Sequence, residues 1–130
     1  MKAKQLTVYV QDAPGALGRV ARALADKKVN ITGLFALAAQ DKSPVRLVVD
    51  SPARAKKALQ AAGLEPVEEN VLVTPLADKP GALATVAEKL GSAGINIQFA
   101  YASGGVGKKA NLVVGVADVA AAERALKAKG

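Results

Sequence analysis

The 130-residue chain has no cysteine, no histidine and no tryptophan. Without cysteine there is neither a disulfide framework nor a thiolate metal site, and without histidine the commonest metal ligand and general base are missing. Ser43, Ser51, Ser92 and Ser103 fall in turns or caps with no imidazole to activate them, so no nucleophile stands in a catalytic setting. The expectation is a protein that is not an enzyme and needs neither cofactor nor metal. Aromatics are equally scarce: Tyr9, Phe35, Phe99 and Tyr101 are all there are. A hydrophobic half built mainly of Ala and Val suits close helix-to-sheet packing, and any ligand should be small. No apolar run approaches the ~18 residues of a membrane span, and residues 1–8 enter a strand pattern without a signal-peptide core. The expected location is the cytoplasm.

Charge of one sign is lacking in one half only. Residues 1–64 carry eleven Lys and Arg against four Asp and Glu, whereas residues 65–130 carry seven of each. The surplus cations, Arg19, Arg22, Lys27 and Lys28 with Arg54, Lys56 and Lys57, read either as a solvated helix face or as a face for an acidic partner or nucleic acid.

What the chain does contain is a stretch that occurs twice. Residues 12–31 and 78–97, at a constant offset of 66, are identical at ten of twenty positions. The shared residues are the Asp, the Pro-Gly-Ala-Leu, a Val-Ala and a Leu at helical spacing, and a closing Asn-Ile. A period this long indicates a duplicated small domain, residues 1–69 and 70–130.

Each copy reads the same way. Leu6, Val8 and Val10 alternate with Thr7, Tyr9 and Gln11, the period-two pattern of a strand. Asp12-Ala-Pro-Gly is a turn, with Pro14 suited to a helix start and Asp12 placed to accept from first-turn amides. Leu17, Val20, Ala21 and Leu24 then draw an apolar helical stripe. Strands over 30–40 and 45–49 and a helix from Ser51-Pro52 to Gly63 follow. Residues 65–76 should hold the last strand of the first repeat and the first strand of the second. The cycle restarts with a turn at 78–81, a helix with Leu83, Val86, Ala87 and Leu90, a strand over 96–102, a glycine hairpin at 103–107, a strand over 111–116 and a helix over 119–129. The fold class is α+β: two ferredoxin-like βαββαβ repeats, antiparallel sheets with helices on one face, the second repeat lacking its last strand unless another segment supplies it. The bare sheet face, or an edge, should be buried by pairing between repeats or by self-association, which makes a homodimer the expectation.

At this point Asp12-x-Pro-Gly-x-Leu with Asn30-Ile31, and Asp78-x-Pro-Gly-x-Leu with Asn96-Ile97, resemble the ACT domain, a small-molecule-sensing module of amino-acid metabolism. The resemblance covers nearly the whole chain in two copies. It implies a free-standing tandem ACT protein that binds an amino acid where the turn of one domain meets a neighbouring ACT domain. Carried over residue by residue, it implies one site at Asp12, Pro14, Gly15, Ala16, Leu17, Asn30 and Ile31. The other would hold Asp78, Lys79, Pro80, Gly81, Ala82, Leu83, Asn96 and Ile97. The chemistry of the turn agrees, because unpaired first-turn amides suit an α-carboxylate and a nearby Asp suits an ammonium group. Pro-Gly also starts helices that bind nothing, so the structural reading stands beside the functional one. Two other functions fit the resemblance and the charge: a regulatory subunit of an amino-acid biosynthetic enzyme, and a transcription-linked adaptor using the basic face of the first repeat.

Two further signals are set aside. Residues 104–109 imitate a phosphate loop, but Ala102 stands where its first glycine is required and Lys109 where Ser or Thr should hold magnesium. RNA-recognition domains share the topology, yet the third strands carry no aromatics on which bases could stack, so specific nucleic-acid binding is not expected.

Overall fold

The computed structural model describes residues 1–104 and 110–127. Ten elements follow one another: β1 (Lys2–Val10), α1 (Ala16–Asp26), β2 (Ile31–Ala36), β3 (Ser43–Val49), α2 (Pro52–Ala61), β4 (Val67–Leu76), α3 (Ala82–Ser92), β5 (Phe99–Ser103), β6 (Ala110–Gly115) and α4 (Val119–Lys127). This is the α+β plan of two strand-helix-strand-strand-helix repeats. All of the phosphate-loop imitation but Gly104, and most of the glycine hairpin, lie outside the described residues. No helix among the described residues is long and apolar enough to cross a membrane.

The chain divides into two compact units, residues 4–69 and residues 1–3 with 70–130. The first three residues thus group with the second repeat, not with the first, where the sequence reading put them. β1 and β4 are each divided between the units. The expected strand pair within 65–76 is one uninterrupted strand whose first residues serve one unit and whose remainder serves the other.

In the unit of residues 4–69 the strand order is β2-β3-β1-β4. β1 and β2 both run antiparallel to β3, with Leu6 opposite Leu47, Val8 opposite Val45 and Leu34 opposite Leu47. The inward set of each strand packs with α1 and α2 into one core that includes Leu6, Val20, Leu24, Leu47 and Leu59. Each such side chain contributes roughly 1.5–3 kcal/mol by leaving water. The stripe of α1 is turned from its expected phase: Ala16, Val20 and Leu24 are the buried residues, while Leu17 keeps 41% of its surface exposed. Residues four apart track the sheet most closely, and Leu17, one step further round the helix, falls at its margin. On the other face Gln5 Nε2 donates to Glu69 Oε1 at 2.7 Å, Thr7 Oγ1 donates to the same oxygen at 3.4 Å, and Arg46 lies over the ring of Phe35.

In the other unit β6 lies between β4 and β5, and Leu72, Leu90, Leu112 and Val114 form a core with α3 and α4. The side of this sheet away from the helices has an apolar middle, with Ser103 opposite Asn111 toward one end. Val73, Val113 and Tyr101 stand opposite one another across three strands, and the ring of Phe99 stacks beside Tyr101 at 6.4 Å. The last strand that the second repeat lacks is replaced by residues 1–3. The Val73 amide donates to the Met1 carbonyl at 2.7 Å, and the Met1 ammonium donates to the Val73 carbonyl at 2.8 Å. Such a reciprocal exchange is the hydrogen-bonded pair of an antiparallel ladder.

Candidate functional site

The corner after β1 is built by one residue in an unusual conformation. Gly15, with φ 84° and ψ −5°, caps α1 in the left-handed region, which a side chain enters only at a cost. Its carbonyl accepts the Arg19 amide at 3.0 Å, and the Ala16 amide donates back to Ala13 at 3.2 Å. No side chain caps the helix. Asp12, expected to accept from the first turn, makes no hydrogen bond to any described residue; the cap position is taken by the left-handed Gly15, which has no side chain to accept from those amides. The amides of Leu17 and Gly18, within the first turn, therefore have no intrahelical acceptor. A Cβ built on Gly15 meets no atom within 4 Å, so the corner opens to space that the protein does not fill.

Beside this corner lies a cleft of about 170 Å³ lined by Asp12, Ala16 and Leu17 on one side and by Leu37, Ala38 and Pro44 on the other. Asp12 is the only charged residue of its wall. Pro14 and Gly15 shape the turn without lining the cleft. Asn30 and Ile31 are not brought to it. Ile31 stands opposite Val49 at one end of β3, whereas Val10, which leads into the corner, stands opposite Ser43 at the other. Asn30 instead closes the far end of the sheet, its amide donating to Asp50 Oδ1 at 3.1 Å and its carbonyl accepting the Asp50 amide at 3.0 Å.

The residues that replace them, 36–38 and 43–45, come from the exit of β2 and the entry of β3. Sequence reasoning missed them although a signal was present. Two parallel strands joined by a helix point the same way. The chain therefore leaves β2 at the end where it left β1, and enters β2 at the opposite one.

The second corner repeats the backbone. Gly81 has φ 89° and ψ −11°, and again a built Cβ meets nothing within 4 Å. Here Thr85, in the place of Arg19, donates both its amide (3.0 Å) and its hydroxyl (3.1 Å) to the Gly81 carbonyl. Asp78, Lys79 and Pro80 are exposed, Ala82 is half-buried, and Leu83 is 55% exposed. The Lys79 amide donates to Ala77 at 3.0 Å, which fixes the turn and leaves the ammonium group in solvent. Asn96 and Ile97 again lie at the far end: β5 starts opposite Gly115, while the end of β6 nearest the corner, Ala110, pairs with Leu76. Ile97 packs against the core of its unit. Among the described residues no cluster of three or more carboxylates is placed to hold a metal ion.

A family model described as an ACT domain pair matches residues 1–128. No curated protein matches the chain. Among solved structures, protein BT0572 from Bacteroides thetaiotaomicron is similar over 98% of this chain and 88% of its own, with 28% identity and a TM-score of 0.88. The regulatory subunit of aspartate kinase from Thermus thermophilus, in its ligand-free form, is 21% identical with a TM-score of 0.67, covering 95% of this chain and 89% of that one. The aspartate kinase of Clostridium acetobutylicum is 15% identical with a TM-score of 0.63 over 98% of this chain and 32% of its own. The last two share the fold.

Proposed function

This chain belongs to the family of ACT domain pairs, and from that premise we propose that it is a non-catalytic regulatory protein that binds a small amino acid. The ligand sits at the corner between β1 and α1, and the matching corner between β4 and α3 is the second place for it. The observation that carries this reading is the open first corner, where one unpaired carboxylate, Asp12, lines a cleft shared with the uncapped first turn of α1. The α-carboxylate of a zwitterion accepts from the Leu17 and Gly18 amides at the positive end of the helix, and the ammonium group lies against Asp12. Leu17 and Leu37 cover the side chain. A volume of about 170 Å³ lies below the ~300–1,000 Å³ of drug-sized ligand sites, which favours ligands the size of glycine or alanine.

The protein acts as a homodimer in this reading. Leu34 on β2, the edge strand of its unit, and Leu37 just after that strand and in the wall of the cleft are exposed at 43% and 54%. A domain of a second copy covers them and closes the cleft. Ligand that binds one arrangement of the dimer better than another shifts their populations, and a partner reads the shift. Similarity to a separate regulatory subunit of aspartate kinase favours a biosynthetic enzyme as that partner. Its test is co-purification of such an enzyme with the tagged chain, and a chain that comes out alone removes this partner from the reading.

A thermal-shift series against the twenty amino acids tests the binding itself. Ligand at 100 times its dissociation constant stabilises by about 2.7 kcal/mol. The shift is expected to vanish in Asp12→Asn and in Leu17→Arg, both at exposed positions that leave the core intact. A series with no response, or a response unchanged in both variants, sinks the assignment.

A further inference from the structure

The first turn of α1 has a cavity on its other side as well. It measures about 340 Å³ and is bounded by Val10 at the end of β1 and Gln11 after it, Ala16, Arg19 and Val20 from α1, and Leu64 after α2. Tyr9 and Ala62 complete the wall. This volume lies within the ~300–1,000 Å³ of small-molecule sites.

The cavity differs from the cleft at Asp12 in the sign of its charge. Its lining contains one charged residue, Arg19, and no carboxylate. Arg19 itself is exposed and makes no ion pair or side-chain hydrogen bond with any described residue. The remaining wall is mostly aliphatic. Ala16 lines both depressions, so the first turn of α1 separates a site of negative charge from a site of positive charge.

We propose that this cavity binds a small aliphatic monocarboxylate without an ammonium group, held by Arg19. A guanidinium grips a carboxylate through two parallel N–H···O bonds, a geometry that a neutral amide cannot return. A single cation against an apolar wall suits a monoanion, whereas a phosphate dianion would be left with unmatched charge. A zwitterion gains less, since the lining offers its ammonium no carboxylate. The assignment does not depend on amino-acid binding at Asp12, because Arg19 lines only this cavity and Asp12 only the other, although Val10, Gln11 and Ala16 line both.

The test is an amide-resolved NMR titration of the full chain with 4-methylpentanoate, with 4-methylpentanamide and leucine as the neutral and zwitterionic controls. Saturable shifts are expected at Arg19, Ala62 and Leu64, with little change at Leu37 and Ala38 across the helix. Arg19→Gln should weaken the carboxylate by roughly tenfold to a hundredfold, and Ala62→Phe, at an exposed position, should block it while leaving the rest of the spectrum in place. Absence of saturation with the acid, equal affinity for the amide or for leucine, or full affinity in Arg19→Gln would each overturn the proposal.

Discussion

Val73 and Met1 exchange two main-chain hydrogen bonds, at 2.7 and 2.8 Å, although they are 72 positions apart in the chain. Through this pair, residues 1–3 become the edge partner of β4 in the second unit. Deleting residues 1–3 should destabilise that unit by about 1–3 kcal/mol, the net worth of two hydrogen bonds. Hydrogen exchange would show it as lost protection at Val73. Unchanged protection there would mean that the pairing contributes nothing.

Gly15 and Gly81 have φ of 84° and 89° with open space where a Cβ would stand. Their replacement by alanine is therefore a test of backbone strain alone. Each substitution should cost about 1–2 kcal/mol, read as a fall in denaturation midpoint. Gly18, which has the same open space but an ordinary helical φ, should tolerate alanine or gain from it.

Gly115 requires glycine for the opposite reason. Its φ is not in the left-handed region, but a Cβ there would collide with the ring of Phe99, its partner across the strands. Gly115→Ala should cost roughly 1–3 kcal/mol. Adding Phe99→Leu should recover part of the loss, so the double mutant should be less destabilised than the sum of the singles. Strict additivity in that cycle would exclude the clash.

Lys4 Nζ donates to Glu68 Oε1 at 2.7 Å, and this bond, with the nearby charges of Lys4 and Lys56, holds the Glu68 carboxyl below its ordinary value. A lowered folded-state pKa contributes stability above the ordinary carboxylate range, and that stability is lost as pH falls through the folded value. Lys4→Met should return the Glu68 titration, followed by carbon NMR, toward the ordinary range. Because the group is exposed, the change in global stability should be small.

Leu34 on the edge strand β2 and Leu37 just beyond its end have large exposed surfaces. If a second copy covers them, Leu34→Lys should raise the dimer dissociation constant at least tenfold, measured by sedimentation equilibrium. A wild-type chain that sediments as a monomer at high concentration would remove the dimer from the proposed function.

The corner was readable because it is local. Asp-x-Pro-Gly followed by an apolar stripe specifies turn, left-handed glycine and helix start within a few bonds. Its repetition at residue 78 confirmed that the pattern is structural property and not chance. The phase of α1 was less readable: Leu17 and Ala16 are neighbours of similar character, and only the sheet beneath decides which of them faces inward. Arg19 has the local pattern of a solvated cation, and only the fold places it in one cavity wall with Leu64, far along the chain.

The sequence by itself determined the duplicated strand-helix-strand-strand-helix order, the two glycine corners and the uneven charge, since each depends on residues in contact along the chain. Tertiary structure alone decided that residues 1–3 complete the second repeat, that Asn30 and Asn96 lie at the far ends of their sheets, and that residues 36–38 wall the cleft beside Asp12. Those outcomes depend on which strands pair and in what direction. Backbone hydrogen bonds between distant residues settle that choice, and they are nearly the same for every side chain, so local periodicity does not record them.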